Sequence, residues 1–337
     1  MKEKASIKSV SFTIIRILIV FSIVLYLLNT NAIDLSRISE MVFSTWVIPA
    51  FACYLIVICI SIIRWNVLLN AMTIYPGILS ITKLSFIGFA FSMIIPGGVG
   101  GDIVKAYYVA KGIKDLRTAA ITTIGLDRLI GLFSMFFTGS LAMISMYLFR
   151  PELINSDHVT IFKSIAVIIS GGTISILIIF LTAMNKYLKK TKLLNWLTTQ
   201  GPGHVIFSKV YDTIHSFRKK KKSLLITFLL SMLSQGAFVF TLFFIGLSAN
   251  ESNIQIQHYF FLTPISLIMN AVPISPGGIG SGELFADWLF RSFGSSNGSE
   301  IMVILHLAFI VVSLFGFMVY IQGKNEFSDI ESEIRAE

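Results

Sequence analysis

The sequence predicts an all-α polytopic membrane protein with about six spanning helices and two oppositely oriented re-entrant helical hairpins, in an inverted-repeat architecture. Hydrophobic residues make up 55% of the chain, and its mean hydropathy is +0.79. Charged residues make up only 13%, against roughly 25% in soluble domains. Several apolar runs approach or exceed the ~20 residues that cross a bilayer as a helix. The third observation is a pair of glycine-rich breaks in the apolar pattern.

Each break follows an apolar run and ends in a carboxylate, the first at Pro96–Asp102 and the second at Pro276–Glu283. Broken backbone at membrane depth is tolerated only where protein or a water-filled cavity satisfies its polar groups. We therefore expect the two breaks to face each other and to form the working site. The backbone positions of this predicted gate are Pro96, Gly97, Gly98, Gly100, Gly101, Pro276, Gly277, Gly278 and Gly280.

Six apolar runs predict the spanning helices. The first is a retained helix, because it is long for a signal-peptide core and no small-residue cleavage site follows it. The second ends at Arg64-Trp65, a pair typical of a membrane interface. The predicted spans are 10–29, 46–66, 119–149, 162–183, 224–248 and 301–321.

The chain is predicted to be one membrane domain, 1–337, built from two units inserted in opposite senses, as in inverted-repeat transporters. Outside the breaks, the two units show no similarity by eye. The remaining boundaries are a first repeat at 10–149 with a hairpin at 79–112, a basic cytoplasmic linker with a surface helix at 185–223, a second repeat at 224–322 with a hairpin at 259–293, and a charged cytoplasmic tail at 323–337.

The distribution of basic residues predicts the orientation. With both termini in the cytoplasm of a bacterial-type inner membrane, most of the 27 Lys and Arg residues lie inside, above all in the linker 185–223. This is the bias that membrane proteins follow. It also requires the first hairpin to open to the cytoplasm and the second to the outside. The predicted outer basic residues are Arg37, Arg150, Lys163 and Arg291.

Asp127 and Arg128 are ionisable residues in an otherwise apolar span. A charge there costs about 2.5–3.5 kcal/mol even on the lenient insertion scale, which makes it a functional-site hypothesis by default. Adjacent helix residues do not face each other, so the two are not expected to pair. Arg128 suits a phosphate, because a guanidinium binds two oxygens at once. The alternative is an internal salt bridge, such as Arg128 with Asp102.

The second break carries Glu283, Asp287 and Arg291, which share one face of a predicted helix. Asp287 and Arg291 predict an ion pair near the outer surface. Glu283 lies deeper and is the candidate to hold a proton or a cationic headgroup. His306 is alone in the last span, where a lone histidine is more often packed than functional. The half-helix N-termini favour phosphate; the alternative is kinked, closely packed helices without a ligand.

The sequence resembles the flippase-like membrane domain of lysylphosphatidylglycerol synthases at Phe91–Val109, Asp127–Gly131 and Pro273–Glu283. The resemblance covers roughly residues 10–322, and this family has many stand-alone members. In the synthases the domain is associated with moving aminoacylated phosphatidylglycerol between leaflets, whereas a separate cytosolic domain makes the lipid. The resemblance implies substrate-binding roles for Asp102, Asp127, Arg128 and Glu283. We add Arg16, Arg64 and Lys105 to the candidate substrate-binding residues on their charge and location alone.

The expected function is therefore that of a lipid translocase for an aminoacyl-phospholipid or a polyprenyl-phosphate-linked lipid. No nucleic-acid partner, cofactor or metal is expected, and the sequence shows no catalytic constellation or Walker lysine motif. The chain ends soon after the last span, so we do not expect an aminoacyltransferase domain. The alternatives are a membrane enzyme or accessory subunit in polyprenyl-linked glycan or cell-envelope lipid synthesis, and a non-transporting scaffold. A homo-oligomer and a lipid-modifying enzyme partner both stay open.

Overall fold

The computed structural model describes residues 34–94, 100–112, 117–149, 159–185, 199–200, 204–251, 254–270 and 276–322. Within these ranges the chain is helical and contains no strand, which confirms the predicted all-α class for this part of the protein. A short 3-10 turn covers Pro276–Gly278. The helices are α1 Leu35–Val42, α2 Val47–Ala71, α3 Ile78–Ile94, α4 Gly100–Gly112, α5 Arg117–Phe149, α6 Val159–Met184, α7 His204–Ser216, α8 Lys221–Ser248, α9 Ile256–Asn270, α10 Ser281–Arg291 and α11 Gly298–Gln322.

Five of these helices, α2, α5, α6, α8 and α11, are long and apolar enough to cross a membrane. They correspond to the last five predicted spans. The remaining predicted span, 10–29, and the tail 323–337 lie outside the described residues, as do residues 186–198 and 201–203 of the predicted linker 185–223. The apolar residues on the outer surface of these helices, such as Val167 and Ile168 on α6, are exposed. A helix that is hydrophobic all round is typical of a membrane span.

Helices α2 and α8 form the most extensive helix pair and lie at the centre of the fold. Tyr54 on α2 and Phe238 on α8 bring their ring centroids to 6.1 Å. Helix α7 packs against α5 and α6 through the buried side chains of Tyr211 and Ile214. Helices α3 and α11 also pack together, and the hydroxyl of Ser313 donates to the backbone carbonyl of Phe89 at 3.3 Å.

Helices α3 and α4 lie side by side at very close range. A Cβ atom on Gly101 would overlap the carbonyl oxygen of Gly88, and the Gly101 N–H donates to the hydroxyl of Ser92 at 3.1 Å. Glycine permits this approach because it has no side chain. Helices α3 and α4 therefore pack directly against each other; residues 95–99, which connect them in the sequence, lie outside the described residues.

The chain segments before α9 and after α10 are tied to each other. The carboxylate of Glu251, which is buried, accepts hydrogen bonds from the hydroxyl of Ser295 and, at 2.9 Å, from the side-chain amide of Asn297. Arg37, on α1, donates to the side-chain oxygen of Asn297 at 2.5 Å. The start of α9 and the end of α10 therefore lie at one polar cluster, to which α1 also contributes.

Replacing Gly101 by Ala is expected to destabilise the protein by about 1–3 kcal/mol, because the added methyl group overpacks the contact between α3 and α4. The matched control is Gly125→Ala, since nothing lies within 4 Å of a Cβ there. That control is expected to be neutral or to stabilise by up to about 1 kcal/mol through helix propensity. The measurement is unfolding by SDS titration in mixed micelles. Equal stabilities of the two variants would contradict this account of the packing.

Candidate functional site

Five charged side chains from three helices meet beside the first glycine break. Arg64 comes from α2, Asp102 and Lys105 from α4, and Asp127 and Arg128 from α5. Lys105 interacts electrostatically with the other four. We call these five residues the charged cluster. It contains three cations and two carboxylates, and all five are positions that the sequence predicts as substrate-binding.

Arg64 and Asp127 form the more enclosed pair of the cluster. The two salt-bridge bonds run from Nε to Oδ1 at 2.6 Å and from Nη2 to Oδ2 at 2.8 Å. The third guanidinium nitrogen donates to the hydroxyl of Ser231 on α8 at 2.9 Å. The side chains are 12% and 17% exposed. Arg64 thus links α2, α5 and α8, and each of its three guanidinium nitrogens donates to a protein partner.

Arg128 and Asp102 form the more open pair, with Nε 2.6 Å from Oδ2. This is the salt bridge that the sequence offers as the alternative to ligand binding. The Arg128 side chain nevertheless keeps 55% of its surface exposed, against 15% for Asp102. Arg128 lies ten residues after Thr118, where the apolar part of α5 begins, which is ~15 Å along the helix axis. A half-exposed guanidinium therefore lies well inside an apolar span.

Lys105 is held between two aromatic rings. Its Nζ atom lies 5.0 Å from the centroid of Trp65 and 5.6 Å from that of Phe89, within cation–π range. The indole N–H of Trp65 donates to the hydroxyl of Thr123 at 3.2 Å, which fixes the ring. Trp65 is 2% exposed. The interpretation of Arg64-Trp65 as an interfacial anchor is therefore wrong, because both side chains point into the helix bundle.

The second break contains a buried polar chain of three side chains. Glu283 caps the start of α10, where its Oε2 accepts from the Gly280 N–H at 2.6 Å. Its Oε1 lies 2.6 Å from Nδ1 of His306 on α11. The other ring nitrogen, Nε2, lies 3.1 Å from the side-chain oxygen of Asn270, the last residue of α9. Glu283 and His306 are 3% and 4% exposed.

The gate positions are described only in part. Gly100 and Gly101 begin α4, and the Pro276–Gly278 turn contacts α3, the helix that leads into the first break. The backbone of Gly277, Gly278 and Gly280 has positive φ. Pro96, Gly97, Gly98 and Arg16 lie outside the described residues, so the meeting of the two breaks stays a prediction.

A sequence model of the family described as "Lysylphosphatidylglycerol synthase TM region" matches residues 13–318. The chain belongs to this family. It is also similar to the UPF0104 membrane protein PH1989 of Pyrococcus horikoshii, with 22% identity over 305 residues, which is 83% of this chain and 87% of the relative. No solved structure matches the chain.

Sequence reasoning missed Asn270 and Ser231, and it favoured a packing role for His306, which contacts the carboxylate of Glu283. Each is polar and lies in an apolar helix, but its partner is on a different helix. Buried polar groups are almost always hydrogen-bonded. A polar residue in an apolar run could therefore have been flagged, although its partner could not. The predicted ion pair of Asp287 with Arg291 is present, with both bonds at 2.9 Å.

Proposed function

We propose that this protein is a lipid translocase, which moves a phosphate-containing lipid between the leaflets. The headgroup passes the charged cluster while the acyl or prenyl tails stay in the bilayer. Suitable substrates are an aminoacyl-phospholipid and a polyprenyl-phosphate-linked lipid. Membership of a family named for a lipid synthase supports a lipid-related role.

The observation that carries the proposal is the exposure of Arg128. Its side chain is 55% exposed although it lies ~15 Å into an apolar helix. A charged side chain in contact with lipid tails is costly, and such residues almost always face a water-filled cavity or a bundle interior. A hydrated groove beside α4 and α5 accounts for this exposure. The same groove would admit a polar headgroup from the side.

The charge of the cluster favours a phosphate. Three cations and two carboxylates leave one net positive charge, and a lipid phosphodiester carries one negative charge. Arg64 and Asp127 neutralise each other through two bonds, so the surplus positive charge belongs to Asp102, Lys105 and Arg128 taken together. Arginine binds phosphate oxygens in pairs, whereas lysine acts as a point charge.

The proposed architecture is that of two re-entrant hairpins inserted from opposite sides, within an inverted repeat in a cytoplasmic membrane. The close packing of α3 on α4 supports the first hairpin. The bonds from Glu251 to Ser295 and Asn297 support the second. On the proposed cytoplasmic side, Lys219 to Lys222 are exposed. They would attract anionic lipid by about 1 kcal/mol per basic residue near the surface.

Arg128→Ala is expected to slow translocation about 10- to 100-fold, the equivalent of one charge-assisted bond of about 1.5–3 kcal/mol. The measurement is a leaflet assay in phosphatidylcholine vesicles that contain a fluorescent anionic phospholipid or a polyprenyl phosphate. The matched control is Arg291→Ala, because the Arg291–Asp287 pair has nearly the same exposures, 52% and 15%. That variant is expected to keep the wild-type rate.

Equal rates for the wild type and Arg128→Ala would contradict the role of the charged cluster. A rate for a phosphate-free fluorescent glycolipid in the same vesicles equal to that for the anionic probe would contradict phosphate recognition. A lipid that stays bound through purification identifies the headgroup by mass spectrometry. Chemical conversion of a polyprenyl-linked lipid in the same vesicles would favour the alternative, a membrane enzyme.

A further inference from the structure

Both ring nitrogens of His306 face hydrogen-bond acceptors. Nδ1 lies 2.6 Å from a carboxylate oxygen of Glu283, and Nε2 lies 3.1 Å from the side-chain oxygen of Asn270. A neutral imidazole carries hydrogen on only one of its two nitrogens. The ring can satisfy both contacts only if one additional proton is present, either on the imidazole or on the Glu283 carboxyl.

We propose that Glu283, His306 and Asn270 form a buried proton-binding site, whose occupancy sets the conformation of the second glycine break. One proton lies between Nδ1 and Oε1, and the Nε2–H donates to Asn270. With the proton bound, the Glu283–His306 pair has no net charge. This is the state that a site with 3% and 4% exposure favours, because an uncompensated charge is expensive in an apolar interior. The pair takes this proton from water and returns it to water.

Asn270 connects the proton to the backbone of the break. Its side-chain oxygen occupies the space that a Cβ atom of Gly278 would fill, and it lies 2.6 Å from the position of a Cβ atom on Gly282. When the proton leaves, the ring with its hydrogen on Nδ1 presents a bare Nε2 to Asn270. The amide must then turn its NH₂ group toward the ring or move away. Either change replaces the oxygen that is packed against the two glycines.

The hydrogen bonds that the described residues make to the Glu283–His306 pair come from Gly280 and Asn270, neither of which titrates. On α10, Asp287 and Arg291 bond to each other. On α9, His258 makes an edge-to-face contact with Phe293 beyond the end of α10. On α11, Glu300 bonds to Ser299 and to the backbone of Asp34. The remaining ionisable groups of the surrounding helices are Lys83 on α3, Lys221 and Lys222 at the start of α8, Arg117, Asp127, Arg128 and Tyr147 on α5, Tyr259 on α9, Tyr320 on α11, and Asp34, Arg37 and Glu40 at α1.

The first test determines where the proton is. ¹⁵N NMR of histidine-labelled full-length protein in nanodiscs reports which ring nitrogens carry hydrogen, and His306→Asn identifies the signals of His306 among the five histidines. Infrared difference spectra between the wild type and Glu283→Gln report whether the carboxyl is protonated. We expect either two ring N–H groups, or one N–H group beside a protonated carboxyl, at neutral pH. A single N–H group beside an ionised carboxylate would overturn the proposal.

The second test measures the coupling to the break. Ile279→Cys, in a chain whose Cys53 and Cys59 are replaced by Ala, is labelled with a water-soluble maleimide. Ser296→Cys, on an exposed loop, is the reference, so that the ratio of the two rates cancels the ionisation of the thiol. Between about pH 5.5 and about pH 9, which bracket the titration of an ordinary histidine, this ratio is expected to change by at least about fivefold, the lower end of a typical coupling between two sites.

Asn270→Asp serves as the locked variant for this labelling test. An aspartate accepts on both oxygens, so it holds the Nε2–H bond in place and cannot turn a donor toward a bare nitrogen. The rate ratio is expected to be independent of pH in this variant and in His306→Asn. A pH-independent ratio in the wild type would overturn the coupling. Neither test uses lipid transport, so failure of the leaflet assay leaves this proposal standing, and the reverse also holds.

Discussion

Asp127→Ala is expected to destabilise the protein by about 3–5 kcal/mol, because removal of one partner leaves a buried charge uncompensated. The stranded charge is Arg64, whose side chain is 12% exposed. Its guanidinium loses two bonds to the carboxylate and keeps only the bond to Ser231. No conformational change of Arg64 alone restores these bonds, since α5 and α8 enclose it.

The matched control for this prediction is Asp287→Ala, which opens the Arg291–Asp287 pair. That arginine is 52% exposed, and exposed pairs contribute about 0–1 kcal/mol. A double variant, Arg64→Met/Asp127→Leu, is expected to recover most of the loss, because apolar replacement of a whole buried pair is often neutral or stabilising. The measurement is SDS-induced unfolding in mixed micelles. If Asp127→Ala were as mild as Asp287→Ala, the pair would not be buried as described.

Arg64 also shows how far the sequence predicts this fold. The composition predicts the spans well, because a helix in lipid must be apolar along its length. Five predicted spans accordingly coincide with apolar helices. The prediction is wrong about the end of the second span, which is predicted at residue 66 and lies at Ala71. An arginine and a tryptophan in sequence indicate an interface, whereas Asp127 and Thr123 on α5 provide partners inside the bundle.

The sequence predicts which charged residues come together better than it predicts which of them contact each other. A charge in an apolar run is visible in the sequence, which is why Arg128 is a predicted site residue, whereas Asp102 is predicted from its place in the glycine break and Lys105 from its charge and location. Which charge meets which depends on how helices pack, and this is set by the shapes of surfaces far apart in the chain. His306 illustrates this limit: the carboxylate that it contacts is 23 positions away, on another helix. Helical periodicity relates only residues that are three or four positions apart in the sequence.

The second large effect is expected for Gly278→Ala, which should destabilise the protein by about 2–5 kcal/mol. Two contributions add. The backbone φ of Gly278 is +82°, a left-handed conformation that costs an L-residue about 1–2 kcal/mol. The new Cβ atom would also overlap the side-chain oxygen of Asn270 and lie 2.8 Å from its backbone oxygen. Overpacking of this kind costs about 1–3 kcal/mol.

Gly294→Ala separates the two contributions. Gly294 has a φ of +84°, and nothing lies within 4 Å of a Cβ there. Its replacement should therefore show only the backbone penalty of about 1–2 kcal/mol. Unfolding in mixed micelles compares the two variants directly. Equal losses of stability would mean that Asn270 moves aside without a cost in free energy. The contact that links the proton site to the glycine break would then contribute nothing to stability.

A double-mutant cycle identifies Asn270 as the source of the difference. Asn270→Ala removes the side-chain oxygen but keeps the backbone oxygen 2.8 Å from the added Cβ. In that background, Gly278→Ala should cost less than it does in the wild type, although more than Gly294→Ala. The difference between the two backgrounds is the coupling energy of the pair, and residues in contact typically show about 0.5–3 kcal/mol. A coupling in this range means that the position of the Asn270 amide changes the stability of the backbone of the break. Control of the break by a proton requires this energetic connection.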